Sequence, residues 1–265
     1  MKKYMDNIMK KKLEISHFQA LNKEERQAYE KIKEAVVNGQ TEASFVLKND
    51  DKRFFEVFET FFMDYPEIEC IMNKQKHYLK QKLSSGKALY TGMWKYEKKS
   101  VAETEKLMDE IHQNALQIIN KAMPVRPKSQ KEMVRKIYCY MADKYHYSKS
   151  INGRGDYPKD SYYLTTMLHD HGVCSGISKC LTYVLRLLDI PVLTVYGDAD
   201  GATNGNKDGH CWNIVKLNGK YYHLDLTWEC CGRTNSKYYL LDDVAMQTKC
   251  HFWKRKAYPK CLDAA

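Results

Sequence analysis

Several things are missing from this 265-residue chain, and each absence narrows the reading. No apolar run approaches the roughly 20 residues that a bilayer-spanning helix requires, and mean hydropathy is −0.64. The charged start, Met1-Lys2-Lys3-Tyr4-Met5-Asp6-Asn7, is followed by no continuous apolar stretch, so a cleaved leader is not expected. There is no internal repeat and no low-complexity tract, which excludes a solenoid or a compositionally disordered chain. No nucleic-acid motif accompanies the basic excess of +10. The lysines are scattered over helical faces and only Lys10-Lys11-Lys12 forms a run, so the charge reads as a solvated surface rather than a nucleic-acid footprint. Nine cysteines, an odd number, argue against a complete disulfide framework. Free thiols in a reducing, cytoplasmic setting fit better, and one of them can be a nucleophile.

What is present falls into two parts. Residues 1–125 read as mainly helical. Asn22-Lys23-Glu24-Glu25 has the form of a capping box, with Ala28, Tyr29, Ile32, Ala35 and Val36 on one face behind it and Asn38-Gly39 as the stop. Phe54, Phe55, Phe58, Phe61 and Phe62 recur at helical spacing as a core stripe, Lys87–Tyr96 suits a strand, and Glu103–Ala122 is a long amphipathic helix. Pro124-Val125-Arg126-Pro127 marks a boundary, with 126–265 as the second part. There Ser129–Glu132 opens another helix with Met133, Val134, Ile137, Tyr138 and Met141 buried. Val192–Tyr196, Trp212–Leu217 and Lys220–Leu226 read as strands, the last two joined at Asn218-Gly219 as a hairpin, and Lys237–Leu241 suits a further one. Ala199–Gly209 reads as a glycine- and asparagine-rich loop, of which Gly201–Gly209 is expected to gate whatever lies beside His210.

The chemistry concentrates in three stretches: Gly172-Val173-Cys174-Ser175-Gly176, Gly209-His210-Cys211-Trp212-Asn213 and Tyr222–Trp228. Cys174 opens a segment whose Ile177, Cys180, Leu181, Val184, Leu185 and Leu188 keep helical period, so the thiol sits at a helix start. Unpaired N–H groups and the positive dipole end favour thiolate there, and the Cys174 N–H can face a developing oxyanion. Gly172 and Gly176 are expected to allow a tight turn and leave room for a substrate carbonyl. With Asn218-Gly219 as the turn, residues whose numbers sum to 437 oppose each other, placing His210 across from Thr227 and position 212 across from Asp225. His210 and Asp225 are then diagonal neighbours, within side-chain reach. Cysteine, histidine and carboxylate in this order suit thiol acyl transfer, with the imidazole taking the thiol proton and the carboxylate holding the imidazole.

Gly-Val-Cys-x-Gly, Gly-His-x-Trp-Asn-x-Val and Tyr-x-x-Asp-x-Thr-Trp together resemble the core of the transglutaminase-like superfamily, thiol enzymes with a papain-like fold, in its bacterial-type form. The resemblance runs from about Ser129 to Leu241, and Ile137–Tyr147 is similar to the helix preceding that core. It implies an α+β fold, a helix bearing the nucleophile packed on an antiparallel sheet, with Cys174 as nucleophile, His210 as general base and acid, and Asp225 orienting His210. It also implies that an upstream side chain completes the oxyanion hole; Tyr147, Tyr162 and Tyr163 stand as unranked candidates. Two positions depart from the family's habit: Cys211 stands where alanine is usual, and Ile177-Ser178 where a Tyr-Ala pair is common.

These readings lead to a cysteine-dependent enzyme acting on peptide or glutamine carboxamide groups through a thioester. A peptidase is the first expectation and a transglutaminase or deamidase the alternative. A protein or peptide is the expected partner; no cofactor, metal or membrane is called for. A non-catalytic binding module of the same fold is a reading of another class, normally signalled by loss of one of the three residues, all of which are present. A metal protein built on Cys211, Cys230-Cys231 and Cys250-His251 is a third, although adjacent cysteines do not match usual ligand spacing. Replacing Asp225 by Asn is expected to impair turnover more than folding.

Overall fold

The structure, a computed structural model, describes Met9 and residues 12–72, 77–96, 100–151, 155–200, 207–231 and 237–263, with backbone alone at 207 and 208. The chain divides into two compact units, residues 1–108 and 109–265. The division falls within the helix α4 (Val101–Ala122).

In the first unit, α1 (Lys23–Val37) starts at a reciprocal capping box: Glu25 N–H donates to Asn22 Oδ1 at 3.0 Å, and Asn22 N–H to Glu25 Oε2 at 2.9 Å. It stops at Asn38, beyond which Gly39 takes a left-handed φ of 70°. The phenylalanine stripe forms α2 (Asp51–Asp64), with Phe54, Phe58, Phe61 and Phe62 buried; a short α3 (Pro66–Glu69) follows. A three-stranded antiparallel sheet accompanies the helices: β1 (Glu42–Lys48), β2 (His77–Lys82) and β3 (Lys87–Met93), in the order β1-β3-β2. Only β3 was anticipated. The strict exposed–buried alternation of β1 is nonetheless the signature of a half-buried strand.

In the second unit, α5 (Gln130–Lys144) is capped by Ser129, whose Oγ accepts from Glu132 N–H at 3.2 Å. A parallel pair, β4 (His146–Tyr147) with β5 (His171–Gly172), leads into α6 (Cys174–Leu187). Asp189, with φ 60°, turns the chain out of that helix. A five-stranded sheet follows: β6 (Val192–Asp200), β7 (Lys207–Leu217), β8 (Lys220–Leu224), β9 (Tyr239–Leu241) and β10 (His251–Phe252). Its order is β10-β6-β7-β8-β9 and every pairing is antiparallel. Two short helices, α7 (Leu226–Cys230) and α8 (Asp243–Thr248), fill the connections. The nearly fully buried α6 lies against β6 and β7. Among the described residues, no helix is long and apolar enough to cross a membrane, and none of the nine cysteines is in a disulfide.

The hairpin register is the expected one. Asn213 pairs with Leu224 and Leu217 with Lys220, around Asn218 and Gly219, both with positive φ. Pairing stops at Leu224, however, rather than running to Leu226. Asp225 leaves the ladder because its side chain is used as a helix cap, accepting from Trp228 N–H at 3.0 Å. The loop expected over Ala199–Gly209 is shorter than read, since β6 and β7 extend to Asp200 and Lys207. The first six residues of the expected gate, 201–206, lie outside the described residues.

Candidate active site

The three sequence-selected residues converge in the second unit. His210 is brought by β7, Asp225 by the junction of β8 and α7, and Cys174 by the first position of α6. His210 Nε2 lies 2.8 Å from Asp225 Oδ2. That leaves Nδ1 as the ring nitrogen for the thiol. Asp225 is fully buried, and its carboxylate is held from both ends, Oδ1 by the Trp228 N–H and Oδ2 by histidine. Its backbone is tied as well: the N–H donates to Tyr238 O at 2.9 Å, and the carbonyl lies 2.9 Å from the Tyr138 hydroxyl.

The electrostatics follow from that packing. The partly exposed Cys174 thiol is held well below the ordinary thiol range. A hydrogen bond from Cys211 is the largest cause; burial opposes ionisation, and a hydrogen bond and charge from His210 outweigh it. Burial works against a charged His210, but Asp225 by charge and hydrogen bond, with Cys174 adding to both, pushes it up to about 10. Burial alone would raise Asp225; the charge and hydrogen bond of His210, and a second histidine, His251, hold it low instead. Charges of opposite sign thus stabilise one another in a water-poor site. Cys211, the departure from the family's alanine, therefore has a physical role beside the thiol.

Gly172 and Gly176 serve a different purpose from the one read in the sequence. A Cβ on Gly176 would lie 2.2 Å from Ser161 O, and one on Gly172 would lie 2.6 Å from Thr166 Cγ2. They admit the segment that packs over the helix start, rather than a substrate carbonyl. Asn213 Nδ2 donates to Ser178 O at 3.0 Å and lies 2.9 Å from Thr182 Oγ1, tying β7 to α6.

Burial, and after it the charge of Cys174, push the ionisation of the Tyr147 hydroxyl up. It sits on β4 opposite Gly172, two residues before the thiol. Tyr157 packs edge-on to it at 5.6 Å, and Tyr162 to Tyr157 at 6.4 Å, forming an aromatic rim. The Tyr162 carbonyl receives Lys179 Nζ at 2.9 Å, while Lys179 Nζ lies over the Tyr163 ring.

Among the described residues, two side-chain groups each bring three metal-type ligand atoms within 4.8 Å of one another: His210, Asp225 and His251, and His223, Asp243 and Cys261. Their nitrogen–oxygen separations of 2.8 and 3.0 Å are those of direct hydrogen bonds. Neither group contains a thiol of Cys211, Cys230, Cys231 or Cys250, so the metal reading based on those residues gains no support. Sequence reasoning missed two contributors. Tyr138 was read only as core, and His251 only as a metal ligand beside Cys250; no local spacing relates either to Asp225.

The fold and this cluster define an α+β protein with a thiol at a helix start facing a histidine–carboxylate pair. Residues 119–226 match the model of the transglutaminase-like superfamily. No curated protein matches the chain. Among solved structures, a TGase is 13% identical with a TM-score of 0.36, covering 70% of this chain and 51% of its own. A structure provisionally described as a cysteine protease of Cytophaga hutchinsonii is 14% identical with a TM-score of 0.33, covering 59% and 63%. An arylamine N-acetyltransferase of Bacillus cereus is 13% identical with a TM-score of 0.34, covering 44% and 49%. The chain spans about half the length of that TGase.

Proposed function

We propose that the second unit is a cysteine-dependent acyl-transfer enzyme acting on peptide bonds or glutamine carboxamides, with peptide hydrolysis its main reaction. The observation that carries this reading is the buried 2.8 Å bond between His210 Nε2 and Asp225 Oδ2, set behind a thiol at the first position of α6. The Cys174 thiolate attacks the carbonyl carbon, and the oxygen takes the negative charge. N–H groups of the first helical turn, which have no intrahelical acceptor, face that charge, with the Tyr147 hydroxyl as the side-chain donor. His210 then gives its proton to the leaving nitrogen as the C–N bond breaks, leaving a thioester and a neutral imidazole. That imidazole takes a proton from water, which attacks the thioester and restores the thiolate and the imidazolium. Asp225 keeps the ring oriented throughout.

Hydrolysis is favoured over amine transfer because the rim is open: Tyr147 and Tyr162 are each 38% exposed. Transfer to an amine requires water to be kept from the thioester. The substrate is a protein or peptide, and the free thiols suit the reducing cytoplasm. The test is incubation with a peptide library and an amine donor, read by mass spectrometry beside a Cys174→Ala control. Water-derived cleavage products that vanish in the control support a peptidase, whereas amine-derived mass gains would move the reading to a transglutaminase. The same products from Cys174→Ala, or none from the wild type, would overturn the reading.

A further inference from the structure

His251 lies outside the matched core, on the edge strand β10, yet is fully buried against Asp225. Its Nε2 is 2.8 Å from Asp225 Oδ2, the same oxygen that meets His210. Its Nδ1 is 2.9 Å from the Lys249 carbonyl oxygen. A carbonyl oxygen only accepts, so Nδ1 carries a proton. A carboxylate oxygen likewise only accepts, and a lone pair of Nε2 directed at it from 2.8 Å would be repulsive. The second proton therefore lies between Nε2 and Oδ2, and it belongs to the nitrogen, because a carboxyl facing two imidazoles is much the stronger acid.

The fold is arranged to put this ring there. Cys250 adopts a left-handed φ of 61°, a conformation unfavourable for a residue with a side chain, immediately before His251. Gly197 on β6 has no side chain where a Cβ would lie 2.3 Å from Phe252 O and 2.7 Å from the Trp212 ring, so β10 can come close. Trp228 and Trp212 pack against His251 in T-shaped arrangements, at 4.5 and 5.1 Å between ring centroids, and keep water from it. The other titratable groups around it are His210, at 5.4 Å between rings, Tyr238 at 6.0 Å, and His223, which Asp243 holds at 3.0 Å. Lys249 precedes it on the same turn, and Asp198 pairs with the following Phe252 across the strand.

From this geometry we infer that His251 is a doubly protonated positioning residue that shares Asp225 Oδ2 with His210 and sets the pH range over which Cys174 is a thiolate. The inference rests on the reading of Cys174, His210 and Asp225 as one catalytic unit. A fixed positive charge on His251 makes it easier for both Cys174 and His210 to lose a proton. Removing it moves both ionisations upward.

The experiment follows alkylation of Cys174 by iodoacetamide against pH, resolved by peptide mass spectrometry, in the wild type and in His251→Gln, which keeps a donor but no charge. The midpoint of Cys174 alkylation should rise by about one unit in His251→Gln. A folded variant with an unshifted midpoint overturns the inference, since a merely structural side chain would alter stability and not the profile. Nitrogen-15 spectra of the wild-type imidazoles give an arm that needs no variant: both ring nitrogens of His251 should be protonated at neutral pH. A neutral His251 ring overturns the inference even if the variant fails to fold. If wild-type Cys174 titrates as an ordinary thiol, the catalytic reading fails, and the imidazole spectra still decide the protonation of His251.

Discussion

Replacing Asp225 by Asn tests the charge network most directly, and the structure changes what the substitution should do. The sequence alone suggests that turnover suffers more than folding. In the structure the carboxylate is fully buried and meets three partners: His210 and His251 at Oδ2 and the Trp228 N–H at Oδ1. An asparagine that keeps its oxygen toward Trp228 presents an NH2 to both histidines. Each ring must then accept at Nε2, so His210 carries its proton on Nδ1, facing the thiol, and has no lone pair there to act as a base. An asparagine flipped the other way loses the Trp228 bond and still supplies no charge to support imidazolium. Removing one partner of a buried charged group costs roughly 3–5 kcal/mol. The histidines can relax by releasing protons, so we expect a cost of about 3 kcal/mol, at the lower end of that range. For a domain of this size, that lowers Tm by roughly 6–12 °C. The same change in a serine triad costs about 10⁴ in rate. A thiol ionises more easily, so turnover should fall by roughly 10–10³-fold, with Cys174 alkylation below neutral pH falling in parallel. Thermal melting and the alkylation profile measure the two effects on one sample. A variant that melts with the wild type and keeps its alkylation profile would refute the network.

Cys211→Ala restores the residue common in the family and removes the hydrogen bond that most lowers the Cys174 ionisation. The midpoint of Cys174 alkylation should rise by about half to one unit, given what a hydrogen bond to a charged group contributes; an unchanged midpoint would exclude Cys211 from the site. Gly176→Ala places a Cβ against the Ser161 carbonyl and the Thr166 hydroxyl. The overpacking should cost about 1–3 kcal/mol in urea titrations, and a neutral substitution would show that the segment over the helix start yields easily. The pH dependence of stability has a defined sign on the alkaline side. His210 is raised to about 10 in the folded state, so its contribution is fully present below the unfolded imidazole value near 6.5 and is lost as pH rises through about 10. Asp225 is depressed, so its contribution is present above the unfolded value near 3.9 and is lost as pH falls below it. Melting temperatures should therefore decline at both extremes, and Asp225→Asn should flatten both limbs; limbs of wild-type slope in that variant would contradict the assignment.

How much of this was legible in the sequence depends on how local the determining signal is. The Asn218-Gly219 turn fixed a register that the structure reproduces from Asn213↔Leu224 to Leu217↔Lys220. That register brings His210 near Asp225 through short-range chain geometry. Cys174 was placed at a helix start by apolar spacing alone, and α6 begins there. The phenylalanine stripe of α2 and the capping box of α1 were equally readable, because helix periodicity and capping act over three or four residues. The end of β8 was not readable. Whether the ladder continues past Leu224 depends on Asp225 being claimed by the Trp228 N–H and two histidines, and only one of those partners is adjacent in sequence.

The same distinction explains why the outer part of the site stayed hidden. Tyr138 reaches the Asp225 carbonyl across 87 residues, and His251 reaches its carboxylate across 26 by pairing β10 with β6 on the far side of the sheet from β8. Two backbone features make the second contact possible, Gly197 on one strand and the left-handed turn at Cys250 before the other. Neither has a recognisable motif, since a single glycine in a strand and a cysteine in a turn are both common. Each becomes informative only once the ring that they admit is seen against a carboxylate already occupied by another histidine. On the proposed reading, the family-like motifs encode how Cys174 and His210 meet, while the charge that tunes them is delivered by tertiary packing from beyond the matched segment. Variation in β10 can on this account alter the working pH of the thiol without touching Cys174, His210 or Asp225.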